Sequence, residues 1–394
     1  MNYEVFYMQT KPKVAIITPG SFPIPSTRSS SVETVIEMQT YALQSEVEFT
    51  IFGKKTRELP RTEKQGDISY IRYIYRNWTG YLLKVISALS KINPDIIQIE
   101  NRPKYIPLLR QKFQKTQLWL SLHSTKYISA AHIAKDELIS CLQLVDKIIV
   151  NSHFLKNYLI EQTGCDATKI FVNHLGVDTN QFHSKWSKKP IINEQVKKQL
   201  NIEGRKIILF VGRLRKIKGV HKILQVMPSI IQAVPDTLLI IVGSAFYGSD
   251  RRTDYANHLY SLAAKFPDHV RFLSFIPHAE IHVWFEVADL VLVPSTGNEA
   301  FGLVNVEAMA CGVPVIATNN GGMPEVIEHG QTGYLINNEN IETELSRYVI
   351  DLLNNPARIK KFGLNCVNRV NEKFTWEKSA SRLLQLYDHA VSDK

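Results

Sequence analysis

The chain has 394 residues, 44% hydrophobic and 21% charged, with 47 Lys and Arg against 37 Asp and Glu for a formal net charge of +10. Such a length exceeds one ordinary hydrophobic core and leads us to expect two domains of roughly 180 residues. The composition is that of a soluble globular protein and excludes a disordered or membrane-embedded chain, since no apolar run approaches ~18 residues. The positive surplus implies attraction to polyanions: phosphate-rich small molecules, anionic lipid or teichoic-type polymers. Nucleic acid is not expected as a partner, because no reader motif is visible and basic tracts do not dominate.

From the N-terminus, Met1 to Lys13 lacks a basic start, an apolar stretch and a small-residue cleavage site, so no export signal and a cytoplasmic location are expected. Apolar, β-branched runs then alternate with helix-period segments to the end of the chain, the pattern of parallel sheets covered by helices. In the first half the runs are Lys13–Thr18, Glu48–Gly53, Ile68–Tyr73, Ile96–Glu100, Leu118–His123, Lys147–Asn151 and Ile170–Asn173. Between Glu100 and Asp136 stand Arg102, Lys104, Arg110, Lys112, Lys115 and Lys126 with no acid, and Pro107–Phe113 reads either as a solvated helix face or as an amphipathic helix on an anionic membrane surface. Ser184–Arg205, rich in Lys and containing Pro190, reads as a connection. The second half repeats the alternation at Ile207–Val211, Thr237–Val242, Val270–Phe272, Leu290–Val293, Pro314–Thr318 and Tyr334–Ile336. Neither half has a G-x-G-x-x-G after its first strand, and no P-loop motif is present, which argues against a dinucleotide dehydrogenase and a P-loop NTPase. Cys141, Cys165, Cys311 and Cys366 are far apart, with no zinc-type spacing, and are read as buried thiols without a metal.

Two motifs carry chemistry. After the run Ile207–Val211 comes Gly212-Arg213-Leu214-Arg215-Lys216-Ile217-Lys218-Gly219, a glycine break and a basic loop. Arg offers a planar fork for phosphate oxygens and Lys a compact point charge, so the pair can neutralise a departing diphosphate without a metal; surface charge after a strand would look the same. The second motif begins at Glu299 and runs through Ala300, Phe301, Gly302, Leu303 and Val304 to Glu307. Gly302 permits close backbone approach, and a helix starting there aims unpaired N–H groups and its positive dipole end at an anion, with phosphate the natural guest. Glu307 lies roughly 7 Å into that helix. Because carboxylates accept paired hydrogen bonds from vicinal diols, the spacing suits a charged centre flanked by hydroxyl-rich groups, as in a nucleotide-sugar. An isolated Glu-x7-Glu would also fit a buried βα unit with Glu299 solvating the loop and Glu307 on an exposed helix face.

With the intervening Phe301-Gly302 and the trailing Glu307-Ala308-x-Ala310-x-Gly312-x-Pro314-Val315, the second motif resembles the Glu-x7-Glu signature of family 4 retaining glycosyltransferases. The first resembles that family's Gly-Arg-Leu-x3-Lys-Gly loop. The resemblance extends over nearly the whole chain and implies an α/β fold of the GT-B type, two Rossmann-like parallel-sheet domains facing across a cleft. Residues 1–183 would form the acceptor-side domain, joined by a terminal crossover helix at 376–394, and residues 184–375 the nucleotide-sugar donor domain. It implies that Glu299 touches donor-sugar hydroxyls, that Glu307 holds the ribose, and that Arg213, Lys218 and the backbone amides of Phe301, Gly302, Leu303 and Val304 grip the diphosphate. Gly212, Gly243 with Ser244, and Ser274–Pro277 with Ile276 would flank the donor, and His123 would stand near its sugar. Ser29 and Ser30 take the place of a Gly-Gly found in many members, and Gly321-Gly322-Met323-Pro324-Glu325 resembles a further family loop.

The activity implied is front-face sugar transfer with retention, needing neither metal nor other cofactor. The donor would be a UDP-sugar first and a GDP-sugar next, and the acceptor a saccharide or glycolipid hydroxyl. Pro23-x-Pro25-Ser26-x-Arg28, Asn101-Arg102-Pro103, and Val242-Gly243-Ser244 followed by Phe246-Tyr247-Gly248 look most like the spore coat protein SA-type branch, which implies spore-surface or capsule-like polysaccharide assembly. A second reading stays open here: a coat-layer structural protein that keeps the fold without catalysis. Ser29-Ser30 favours it, and the presence of Arg213, Lys218, Glu299 and Glu307 opposes it.

Overall fold

The computed structural model describes residues 11–25, 31–187, 194–245 and 253–392. The chain divides into two compact units: the first holds the chain up to Val150, Tyr158–Asn173 and everything from Ser379 on, and the second holds Asn151–Asn157 and His174–Lys378.

The first unit is built on an eight-stranded sheet of β1 (Lys13–Ile17), β2 (Glu48–Lys54), β3 (Thr62–Gln65), β4 (Ile68–Tyr73), β5 (Ile96–Glu100), β6 (Gln117–Leu122), β7 (Lys147–Val150) and β8 (Ile170–Val172). Their order is β3-β4-β2-β1-β5-β6-β7-β8, with every pairing parallel except β3 with β4. Strands covered on both faces are mostly apolar, and β1, β5 and β6 are near-continuous runs of buried residues, interrupted by the polar Gln98, Glu100 and Ser121. The edge strand β3, Thr-Glu-Lys-Gln, is polar and largely exposed, and its antiparallel turn back through Gly66-Asp67 pairs Gln65 with Ile68. No apolar pattern marks it in the sequence. The terminal helix Trp376–Ser392 contributes Ala380, Leu383, Tyr387 and Ala390 to this unit's core, where the Tyr387 ring stacks on Trp119 at 5.2 Å.

The basic helix Ile106–Lys112 is short and buries Ile106 and Leu109. Arg110 is half-buried and commits its guanidinium to the carbonyls of Leu144, Phe113, Gln114 and Thr116 and to Asp146 at 2.6 Å, so it staples loops together. No described helix is long and apolar enough to cross a membrane.

The second unit has a six-stranded, wholly parallel sheet of β9 (Lys206–Val211), β10 (Thr237–Val242), β11 (Val270–Leu273), β12 (Leu290–Val293), β13 (Val315–Thr318) and β14 (Gly333–Ile336), in the order β11-β10-β9-β12-β13-β14. Numbered within the unit this is 3-2-1-4-5-6, the doubly wound order. Its strand order reverses between β9 and β12, and ligands of such sheets gather outside the carboxyl ends of the strands at that point. The first sheet reverses in the same way between β1 and β5. All four cysteines are free thiols, with Cys141, Cys311 and Cys366 buried.

Candidate functional site

The reversal point of the second sheet is where both sequence motifs come to rest. Gly212–Gly219 follows β9 and Glu299–Gly302 follows β12, so neighbouring strands deliver loops that are 81 positions apart in sequence to the same place. The amide of Thr296 donates to the Ile217 carbonyl at 2.9 Å and fastens one loop to the other. Across that join, the ammonium of Lys218 is ion-paired to the Glu299 carboxylate. The same Glu299 oxygen accepts from Ser295 Oγ at 2.8 Å, and Ser295 is held from behind by Thr318, whose hydroxyl donates to its carbonyl at 2.6 Å. Lys218 and Glu299 each keep about a quarter of their side-chain surface in solvent (26% and 23%), enough for a ligand to reach them. Arg213 is half-buried one residue after Gly212, at the mouth of the same loop.

Gly302 stands at the N-cap of the helix Leu303–Ala310 with φ 92° and ψ 73°, a left-handed conformation that a side chain resists. Its carbonyl accepts from the Asn305 amide at 3.0 Å, which turns the chain into the helix. Phe301 is buried, and Leu303 and Val304 form the first turn. Glu307, the fifth helical residue, is 7% exposed and accepts a hydrogen bond from His278 Nε2 at 2.8 Å. Partial burial of that imidazole works to lower its pKa, but the hydrogen bond and charge of Glu307, with a contribution from Asp178, outweigh it and raise the value. Residue spacing does not announce this pair, because His278 lies 29 residues before Glu307 in a different loop, two residues beyond Ile276. Equally unannounced is Asn305, wholly buried three residues after Gly302 with neither side-chain polar atom hydrogen-bonded among the described residues.

The ends of β9, β10 and β11 are tied in series: the Gly212 amide donates to the Val242 carbonyl at 3.0 Å and the Gly243 amide to the Leu273 carbonyl at 3.1 Å. Gly212, Gly243 and the loop with Ile276 are thereby lined up along one edge. Behind the Glu299 turn, the Gly322 amide donates to the Glu299 carbonyl at 2.7 Å, so Gly321-Gly322 forms the floor on which Glu299 and Ala300 rest.

His123 belongs to the first unit. Its Nε2 lies 2.7 Å from Glu100 and 3.2 Å from Ser121 Oγ, and its amide donates to Asn101 Oδ1 at 2.9 Å. Glu100 accepts in turn from Gln98, which accepts from the Tyr387 hydroxyl at 2.7 Å. His123 therefore joins a largely buried polar chain, whose visible trace in the sequence is the pair of polar residues in Ile96-Ile97-Gln98-Ile99-Glu100. At the reversal point of this sheet, Arg102 donates to Ser21 Oγ at 3.1 Å. Ser29 and Ser30 lie outside the described residues, as do Phe246, Tyr247 and Gly248.

This arrangement has clear relatives. The family described as Glycosyl transferases group 1 matches residues 192–369, and Glycosyltransferase Family 4 matches residues 32–181. A putative glycosyltransferase, YtcC of Bacillus subtilis strain 168, is 30% identical over 97% of this chain and 93% of its own. Spore coat protein SA of the same organism is 29% identical over 95% of this chain and 99% of its own. Among solved structures, a sucrose-phosphate synthase from Thermosynechococcus elongatus superposes with a TM-score of 0.80 at 24% identity, over 98% of this chain and 100% of that one. Anabaena HepE in complex with UDP superposes with a TM-score of 0.79 at 20% identity, over 96% of this chain and 100% of that one. The chain belongs to the group 1 and family 4 glycosyltransferases and has the GT-B fold.

Proposed function

We propose that this protein is a retaining glycosyltransferase that moves a sugar from a nucleotide diphosphate donor, a UDP-sugar in the first instance, to a hydroxyl of a saccharide or glycolipid. The observation that carries this reading is the convergence of Lys218 and Glu299 at the reversal point of the second sheet, beside a glycine-started helix that holds Glu307. Arg213, Lys218 and the first-turn amides supply positive potential for a leaving diphosphate, which is where charge grows as the glycosidic bond breaks. Two side-chain cations at this position do the neutralising that a divalent metal does in other transferases, so no metal is required.

Glu299, already paired with Lys218, orients donor-sugar hydroxyls; a carboxylate held by a cation is a poor nucleophile, which favours front-face substitution. In that route the leaving phosphate oxygen takes the acceptor's proton as the new bond forms on the same face. The HepE complexes with UDP and with UDP-glucose support the choice of base, and the spore coat relative supports a role in cell-surface or spore-coat polysaccharide assembly.

Thermal unfolding in the presence of UDP-, GDP-, ADP- and dTDP-sugars tests the donor site. One base is expected to raise Tm, by the amount that mass action dictates at its concentration, and Glu307→Ala to abolish the shift. A well-folded sample that none of the four protects would remove the donor site and return the chain to the coat-component reading.

The His278–Glu307 pair adds a pH dependence. Its stabilisation is complete below the ordinary imidazole pKa of 6.5 and is lost as pH rises through the raised value. A ribose diol must take Glu307 from His278, and a sugar-linked diphosphate does not itself titrate in this range. Donor affinity measured by calorimetry is therefore expected to strengthen as pH rises through that value, and His278→Asn to flatten the profile. An identical profile in the variant would show that His278 does not compete for Glu307.

A further inference from the structure

Away from the Lys218–Glu299 pair but still within the second unit, His153, His174 and Glu325 each bring one ligand atom to within 4.8 Å of the others. His174 Nε2 already stands 2.9 Å from Glu325 Oε2. The two imidazole rings meet edge to face, with centroids 5.7 Å apart. Glu325 is fixed by the backbone: its oxygens accept from the amides of His153 at 2.8 Å and Phe154 at 2.7 Å, and its own carbonyl accepts from Arg369 at 2.8 Å. Burial opposes ionisation of this carboxyl, but the His174 hydrogen bond and the two amides prevail and hold its pKa below the usual value. It is thus an anion at neutral pH.

Two imidazoles and one carboxylate are the protein ligands of an open zinc site, in which the fourth position belongs to water. Bonds of about 2.0–2.2 Å place tetrahedral ligand atoms about 3.3 Å apart. The His174–Glu325 separation is already close to that. His153, whose residue is exposed, can rotate its ring to close the remaining gap. We propose that His153, His174 and Glu325 form a binding site for a divalent transition metal, zinc foremost, that regulates the neighbouring donor turn.

The coupling is built from contacts on both sides of that turn. Glu325 ends the segment whose Gly322 amide holds the Glu299 carbonyl, and the His174 ring stacks on Phe301 with centroids 5.9 Å apart and planes inclined by 27°. A metal drawing His174 and Glu325 together would tighten the turn from below and from the side.

The test uses the full chain stripped of metal by chelation and titrated with Co2+, followed by competition with Zn2+. One equivalent is expected to produce the intense visible spectrum of four-coordinate cobalt, and zinc to bleach it. His153→Ala is expected to keep the wild-type circular dichroism and Tm, since this ring is at the surface. The same variant should lose more affinity than the roughly 10–100-fold that loss of an outer-shell partner costs. His174→Ala should do the same; if that variant does not fold, His153→Ala and His153→Gln carry the comparison. Equal cobalt affinity in wild type and His153→Ala would overturn the assignment, as would the absence of a saturable four-coordinate spectrum.

Discussion

Arg213→Ala is expected to lower turnover about 10²–10³-fold, the cost of removing one preorganised donor from a site of growing negative charge. Arg213 stands two residues beyond the end of β9, at the point where the sheet's order reverses and where Lys218 and Glu299 already meet. A diphosphate there gains one further negative charge as the sugar C–O bond breaks, and Lys218 is partly engaged by Glu299, so Arg213 carries a large share of the neutralisation. Arg213→Lys should recover only part of the loss, because it keeps the charge and gives up the bidentate fork. Initial rates of nucleoside diphosphate release at saturating donor, with a melting curve for each variant, measure this. Wild-type turnover in a folded Arg213→Ala protein would mean that the diphosphate is held elsewhere.

Gly321→Ala is the second large effect, and it acts through the backbone. Gly321 has φ +63°, and a Cβ there would sit 2.1 Å from the carbonyl oxygen of Glu299, a main-chain atom that no rotamer change can move aside. The left-handed conformation alone costs an L-residue about 1–2 kcal/mol. Relieving the clash must also lift Glu299 off the Gly322 amide. A loss of at least ~2 kcal/mol is expected, which for a unit of this size is a fall in Tm of roughly 4–8 °C. Protection by a nucleotide-sugar should disappear with it, since Glu299 and Phe301 move together. Retention of both Tm and donor protection would show that the turn does not depend on this floor.

The sheets were legible because each strand buried on two faces must be spelled in apolar residues, and all thirteen apolar runs read from the sequence lie on strands. Thr62–Gln65 was not, since an exposed antiparallel edge needs no apolar residue and only the Gly66-Asp67 turn hints at it. The two chemical motifs could be read because each is contiguous: a strand, a glycine and its charged loop. What joins them could not. The Lys218–Glu299 and His278–Glu307 pairs, and the His153–His174–Glu325 cluster, depend on which strands and loops become neighbours, and residue spacing does not encode that. His123 shows the converse. Its placement at a strand end was readable, whereas its attachment to Glu100, Gln98 and Tyr387 required the terminal helix to pack on Trp119.

As a retaining glycosyltransferase the protein is expected to transfer sugar from a nucleotide donor with the anomeric configuration kept. Proton NMR of the reaction with an α-linked UDP-sugar, followed from the first minutes, tests it most directly. The donor's anomeric signal is expected to decay as UDP is released, and the first new anomeric resonance to have the small coupling of an α-linked product. A first product with the large coupling of a β-linkage would contradict it.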